Sequence, residues 1–250
     1  MAGSKRPAGV PVARAQDQLA APGRAWEKYA DLIVGRRGLW SLLRYEFVLW
    51  CAHGVPGALG LLLRQRLYRW LLGSCGRQVV FGQHVTLRHP HKIHIGDGVV
   101  IDDHCLLDAK GDSNAGITIG EGVFIGRNTI LSCKNGDIVL GDGVNIGFNC
   151  EVFSASRVEI GAQTLLAAYS YVIGGDHAPG DPSQPVQAQP RVSRGIAIGA
   201  GAWIGAGANV FDGIRIGDGA IVGAGAVVNR DVPARTVAVG VPARVVSARE

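Results

Sequence analysis

A six-residue period runs through the last two thirds of the chain. From Ile95 the sequence can be written in threes of hexapeptides: IGDGVV IDDHCL LDAKGD, then IGEGVF IGRNTI LSCKNG, then LGDGVN IGFNCE VFSASR. IGAQTL LAAYSY VIGGDH, IGAGAW IGAGAN VFDGIR and IGDGAI VGAGAV VNRDVP follow. An aliphatic residue opens nearly every unit, and a small or aliphatic residue usually stands four places after it. A period of six cannot be α-helical, because a helix repeats its apolar face at three and four. It fits a short strand plus a turn, with one aliphatic side chain per side pointing inward. Three such sides close a coil of eighteen residues, and stacked coils form a parallel β-helix, each coil ~4.8 Å above the last. Glycine is abundant at 37 residues, which also raises collagen or disorder. There is no Gly-X-Y period and the chain is 47% hydrophobic, so both fail.

Coils open at Ile95, Ile119, Leu140, Ile160, Ile198 and Ile216. The excess over eighteen residues is 6, 3, 2, 20 and 0 in turn, always after the third side. Insertions should therefore stack along one edge, and the longest leaves directly after His177. A long insertion in a compact fold is usually functional. Pro179, Pro182, Pro185 and Pro190 keep it out of the sheet.

The front third differs in kind. Residues 1–77 hold 12 Lys/Arg and 4 Asp/Glu, a net of +8, and residues 78–250 a net of −3. The basic character belongs to the first third, which should seek an anionic surface. Residues 1–25 read as a disordered tail, without the apolar core of a signal peptide. Residues 26–77 hold four of the five tryptophans. Leu39, Leu42, Leu43, Phe47, Trp50 and Cys51 follow one helical face, and Leu59, Leu62, Leu63, Leu67 and Leu71 suggest a second helix after Val55–Pro56–Gly57. Arg44, Glu46, His53 and Pro56 interrupt the apolar run, so no transmembrane span is expected. Two readings stay open, and both can hold: an interfacial segment on an anionic membrane, or a cap over the open end of the β-helix. Five cysteines fit neither a zinc pattern nor a disulfide framework, so a reducing, cytoplasmic setting is expected. Cys105 and Cys150 occupy the small-residue position and should be buried filler. No nucleic-acid partner is expected.

Residues 80–246 resemble the hexapeptide-repeat O-acetyltransferases, a group including sugar, galactoside and capsule-type enzymes. Three features in order carry the resemblance: GGDHAP opening a long loop, IGAGAWIGAGANV after it, and VGAGAVVNRDVPARTVAVGVPARVV closing the chain. The resemblance implies a mainly β fold, a left-handed parallel β-helix of hexapeptide repeats with an N-terminal helical segment. Left-handed winding departs from the usual right-handed crossover. It also implies a homotrimer, with the active site between subunits and the loop 178–195 forming part of its wall. Acetyl-CoA would be the co-substrate and a sugar or glycoconjugate hydroxyl the acceptor, with no metal and no covalent acyl-enzyme.

His177 matches the family's general base, and imidazole suits that task near neutral pH; the plainer reading is a loop histidine bonded to backbone. Asn149 matches an acceptor-site asparagine, or serves as a turn residue tolerant of left-handed angles. Family members carry acidic residues just after it, where this chain has Ser154 and Ala155. That departure argues against a simple galactoside or maltoside acceptor. Lys134 is a cleft residue or a solvated turn lysine, and Asp176 orients His177 or points away. Trp203 matches a tryptophan beside the coenzyme cleft, or packs at a surface. Arg230 and Arg244 match residues near the coenzyme phosphates, which suit guanidinium, or are solvated. His84, His89, His91 and His94 lack an acid or cysteine to complete a zinc set. A γ-carbonic-anhydrase site would need three histidines across the central coils, which offer only His177. The alternatives to O-acetyl transfer are N-acyl transfer to an amino-sugar and a non-catalytic trimeric scaffold.

Overall fold

The computed structural model describes residues 22–177 and 182–249. Most of the expected tail and residues 178–181 of the loop lie outside the described residues. The fold is the left-handed parallel β-helix expected from the repeat, with about eight coils. Three parallel sheets form its faces. Face one runs from Ser74–Cys75 to Arg215–Ile216, face two from Val80–Phe81 to Thr236–Val239, and face three from Thr86–Arg88 to Val227–Val228.

Register follows the hexapeptides. Leu140 stands between Ile119 and Ile160 on face one, and Val152 between Leu131 and Val172 on face three. These openers are buried, as are the residues four places on, from Val99 and Cys105 to Ala220 and Ala226. Cys105 and Cys150 are buried filler, as expected. Polar residues at this inward position donate to the next coil: Thr129 Oγ1 to Gly147 O at 2.9 Å, and Thr164 Oγ1 to Gly199 O at 2.8 Å. The turn residue before it takes a left-handed backbone, glycine in many coils but His104, Asn128, Asn149 and Tyr169 in others. All insertions leave the corner between faces three and one.

The β-helix begins one coil earlier than Ile95. Ser74–Cys75 pairs with His94 and Ile95, and Val80–Phe81 with Val100 and Ile101. The sequence places the β-helix at residues 78–250 with an irregular first coil; that coil opens its units with Cys75, Phe81 and Leu87 rather than Ile or Val. At the other end, Arg244–Ala248 runs antiparallel to Thr236–Val239 and covers the final edge.

Helix α1 (Ala25–Tyr29) runs into a wider turn, Ala30–Val34, and is followed by α2 (Leu39–Ala52) and α3 (Gly57–Leu67). They cover the first coil. Its amides donate to the second coil, Val80 N–H to Val99 O and Thr86 N–H to Cys105 O, so its carbonyls point outward with no coil before them. Side chains of the helical segment satisfy them. Arg64 Nε donates to Phe81 O at 2.9 Å, Tyr68 Oη to Val85 O at 3.0 Å, and Tyr45 Oη to Leu87 O at 2.7 Å. Arg64 is 3% exposed, and its Nη1 also donates to Val55 O and Ala52 O. The buried side of α2 is Tyr45, Val48 and Ala52; of the apolar face read from the sequence, Leu39, Leu43, Phe47 and Trp50 are exposed, while Leu42 packs against the core. No helix among the described residues is long and apolar enough to cross a membrane.

Candidate functional site

His177 ends a short strand, Asp176–His177, that pairs antiparallel with Arg191–Val192. The 20-residue insertion therefore leaves and rejoins through a hairpin at the corner after face three, with a single 3-10 turn, Val186–Ala188, among its described residues. The imidazole is half-buried, and its Nδ1 is buried and meets no hydrogen-bonding partner among the described residues. A buried polar atom is rarely left this way. Asp176 makes no hydrogen bond to Nδ1; its Oδ1 accepts the His177 backbone N–H at 2.7 Å. It thus fixes the main chain that carries the imidazole.

The return strand is anchored by the coil that follows it. Asp212 accepts the N–H groups of Arg194 at 2.8 Å and Gly195 at 3.0 Å. Ser193 Oγ lies 3.2 Å from Asp212 Oδ1 and 2.8 Å from Ser156 Oγ, and donates to Gly174 O at 2.9 Å. Nothing in the sequence pattern marks these three residues, because they act across coils. Gly175 brings the hairpin down onto the coil below. A Cβ there would lie 2.9 Å from Ala155 Cβ and 3.2 Å from the Phe153 ring. Ser154 and Ala155 lie beneath this contact, both buried, and Ser154 Oγ donates to Asp137 O at 2.8 Å.

Lys134 reaches the same corner. Its ammonium lies 5.1 Å from the centroid of the Phe153 ring, which also approaches Gly175. Lys110 lies further along; burial holds its ammonium below the usual lysine range, Asp108 opposes that shift, and Lys134 adds to it. Arg230 is exposed on the same corner, two coils beyond His177. This edge thus gathers an imidazole, an aromatic ring and several cations.

The other predicted residues lie elsewhere on the chain. Asn149 is at the corner between faces two and three, with φ 54°, so the turn alone accounts for its residue type. Trp203 projects from face two, 48% exposed, in register with Leu165 and Ile221. Arg244 is on the closing strand of face two, opposite Val239. One chain does not bring Trp203, Arg244 and Asn149 to His177.

The four clustered histidines do not converge on one point, although His89 and His91 stack with ring centroids 6.2 Å apart. His89 Nε2 lies 2.9 Å from Asp31 O, His94 Nδ1 lies 3.0 Å from Ser74 Oγ, and His84 stacks on His104 at 5.0 Å. Among the described residues no group of three or more His, Cys, Asp or Glu is arranged to hold a metal.

Residues 195–230 match the family model for the hexapeptide repeat of succinyl-transferase. The chain is 33% identical over 195 residues to the probable acetyltransferase Rv3034c of Mycobacterium tuberculosis, a match covering 76% of this chain and 61% of that protein. The chain thus spans about three fifths of the length of this curated relative. Among solved structures, it resembles AntD, an N-acyltransferase from Bacillus cereus in complex with dTDP and 3-hydroxybutyryl-CoA. That match has TM-score 0.51 and 23% identity, over 70% of this chain and 82% of the other. It also resembles a maltose O-acetyltransferase from Clostridium difficile 630, with TM-score 0.47 and 23% identity, over 94% and 97% of the two chains.

Proposed function

We propose that this hexapeptide-repeat protein, similar in sequence to an acetyltransferase, moves an acetyl group from acetyl-CoA to a hydroxyl of a sugar or glycoconjugate. The observation that carries the reading is His177. A titratable side chain stands where the coil breaks, on a hairpin braced by Asp212, Ser193 and Ser156, with a buried Nδ1 lacking any partner among the described residues. Such a nitrogen suits a group that arrives with substrate.

In the proposed reaction the acceptor hydroxyl attacks the thioester carbonyl carbon and His177 takes its proton. The C–O bond forms, the C–S bond breaks, and the proton passes to the departing CoA thiolate. No serine or cysteine nucleophile is required. Lys134, beside Phe153, faces the acceptor side, and Asp176 positions the His177 backbone. Arg230, Arg244 and Trp203 serve the coenzyme.

Those residues meet only if a second copy brings face two against the corner of His177. Face two supports such a contact: Phe124, Leu165 and Trp203 form an outward column, all partly exposed, with Asn145 between the first two. A homotrimer closed through this column, with Asn149 of one copy near His177 of the next, is the proposed assembly. An acyl-CoA donor and five free cysteines fit a cytoplasmic location.

The test is release of free CoA from acetyl-CoA over a panel of sugars, glycolipids and amino-sugars. Release with hydroxyl acceptors is expected. Release with amines alone would replace O-transfer by N-transfer. No release, with no acetyl-CoA binding by calorimetry, would leave a scaffold.

A further inference from the structure

We propose that the capped N-terminal end of the β-helix docks on an anionic phospholipid bilayer through the outer sides of α2 and α3. The two helices use their inner sides to close the first coil, so their outer sides point away from the β-helix. Those outer sides are apolar. On α2 Leu39, Trp40, Leu43, Phe47 and Trp50 form one stripe, with Trp40 79% and Trp50 86% exposed. On α3 Leu59 and Leu62 are exposed. Apolar contiguity on this scale marks an interaction surface.

The charges around it choose the partner. Arg66 and Arg69 continue the α3 stripe beyond Leu62, and with Trp70 and Gln65 they line an open groove of about 430 Å³. Arg36 stands exposed just before α2. Over residues 22–77 nine Lys/Arg stand against three Asp/Glu. Two copies meeting through this face would set arginine against arginine, whereas a bilayer of acidic lipids complements it. Tryptophan with arginine at the rim of an apolar stripe is the composition of a helix lying in the headgroup region. The absence of a membrane-crossing helix among the described residues agrees with lying on the surface. The proposal does not depend on the acyl-transfer reaction.

The full chain would be floated with vesicles of phosphatidylcholine alone and of about two parts phosphatidylcholine to one of phosphatidylglycerol. Trp40→Ser/Trp50→Ser and Arg66→Gln/Arg69→Gln would be compared with wild type; all four residues are exposed, and because Arg69 also donates to Gly76 O, thermal melts check folding. Wild type is expected to float only with phosphatidylglycerol and to be released by salt. The tryptophan pair should weaken binding at least roughly tenfold, and each arginine removed roughly fivefold. Failure to float, equal flotation with phosphatidylcholine alone, or equal binding by both variants would overturn the proposal. So would a wild-type oligomer that does not float and that the tryptophan variant breaks apart, which would assign the face to self-association.

Discussion

At the scale of single residues, the site depends on a few close approaches. Gly175 is one: Gly175→Ala would set a methyl 2.9 Å from Ala155 Cβ and lift the hairpin that carries His177. A displacement of that kind is expected to lower kcat about tenfold with KM for acetyl-CoA nearly unchanged. Adding Ala155→Gly should recover most of the loss. Asn149 separates a turn role from an acceptor role. Glycine tolerates φ 54°, so Asn149→Gly should leave the melting temperature unchanged while lowering kcat/KM for the acceptor roughly tenfold. The place of His177 at the break in the coil was legible in the sequence because the six-residue period stops there. Asp212, Ser193 and Ser156 were not, since hydrogen bonds across coils leave no periodic trace.

At the scale of elements, the helical segment and the first coil form one unit. Arg64 joins them, donating from a buried position to Phe81, Val55 and Ala52. Arg64→Met keeps the volume and removes all three donors. It should cost about 2–4 kcal/mol, since buried carbonyls are left unpaired. Stacked coils lean on their neighbours, so the loss should appear first as faster hydrogen exchange in the coils between residues 74 and 119, with the coils near Ile216 still protected. The two helices were legible as helices. Which side faces the protein was not, because α2 is apolar on both sides and periodicity cannot rank them. The first coil was legible only as an irregular one, with the β-helix read from residue 78, because Cys75, Phe81 and Leu87 do the work that isoleucine and valine do elsewhere.

At the scale of the whole molecule, the capped end should be sensitive to acid. Burial, with Arg36, His89 and Lys92 nearby, lowers His91 to about 4. His53 and His89 are also held below the usual histidine range, chiefly by burial. Between about pH 6.5 and 4 the unfolded chain binds protons that the folded end refuses, so stability rises with pH across that window and is lost as pH falls through it. Melting temperature should be level above pH 7 and fall by on the order of 5 °C at pH 5. Calorimetric melts across the range would check this, and His91→Asn should flatten the fall. The fold was legible because its repeat is local. The outward column of face two was not, because it appears only once the coils are stacked.

The central claim is that His177 takes the acceptor's proton in acyl transfer from CoA. Its most direct test is the rate of CoA release by His177→Ala against wild type, with acetyl-CoA affinity measured on both. With His177 as the base, the rate should fall by ~10²–10⁴ and the affinity stay within about threefold. A variant that turns over like wild type would contradict it.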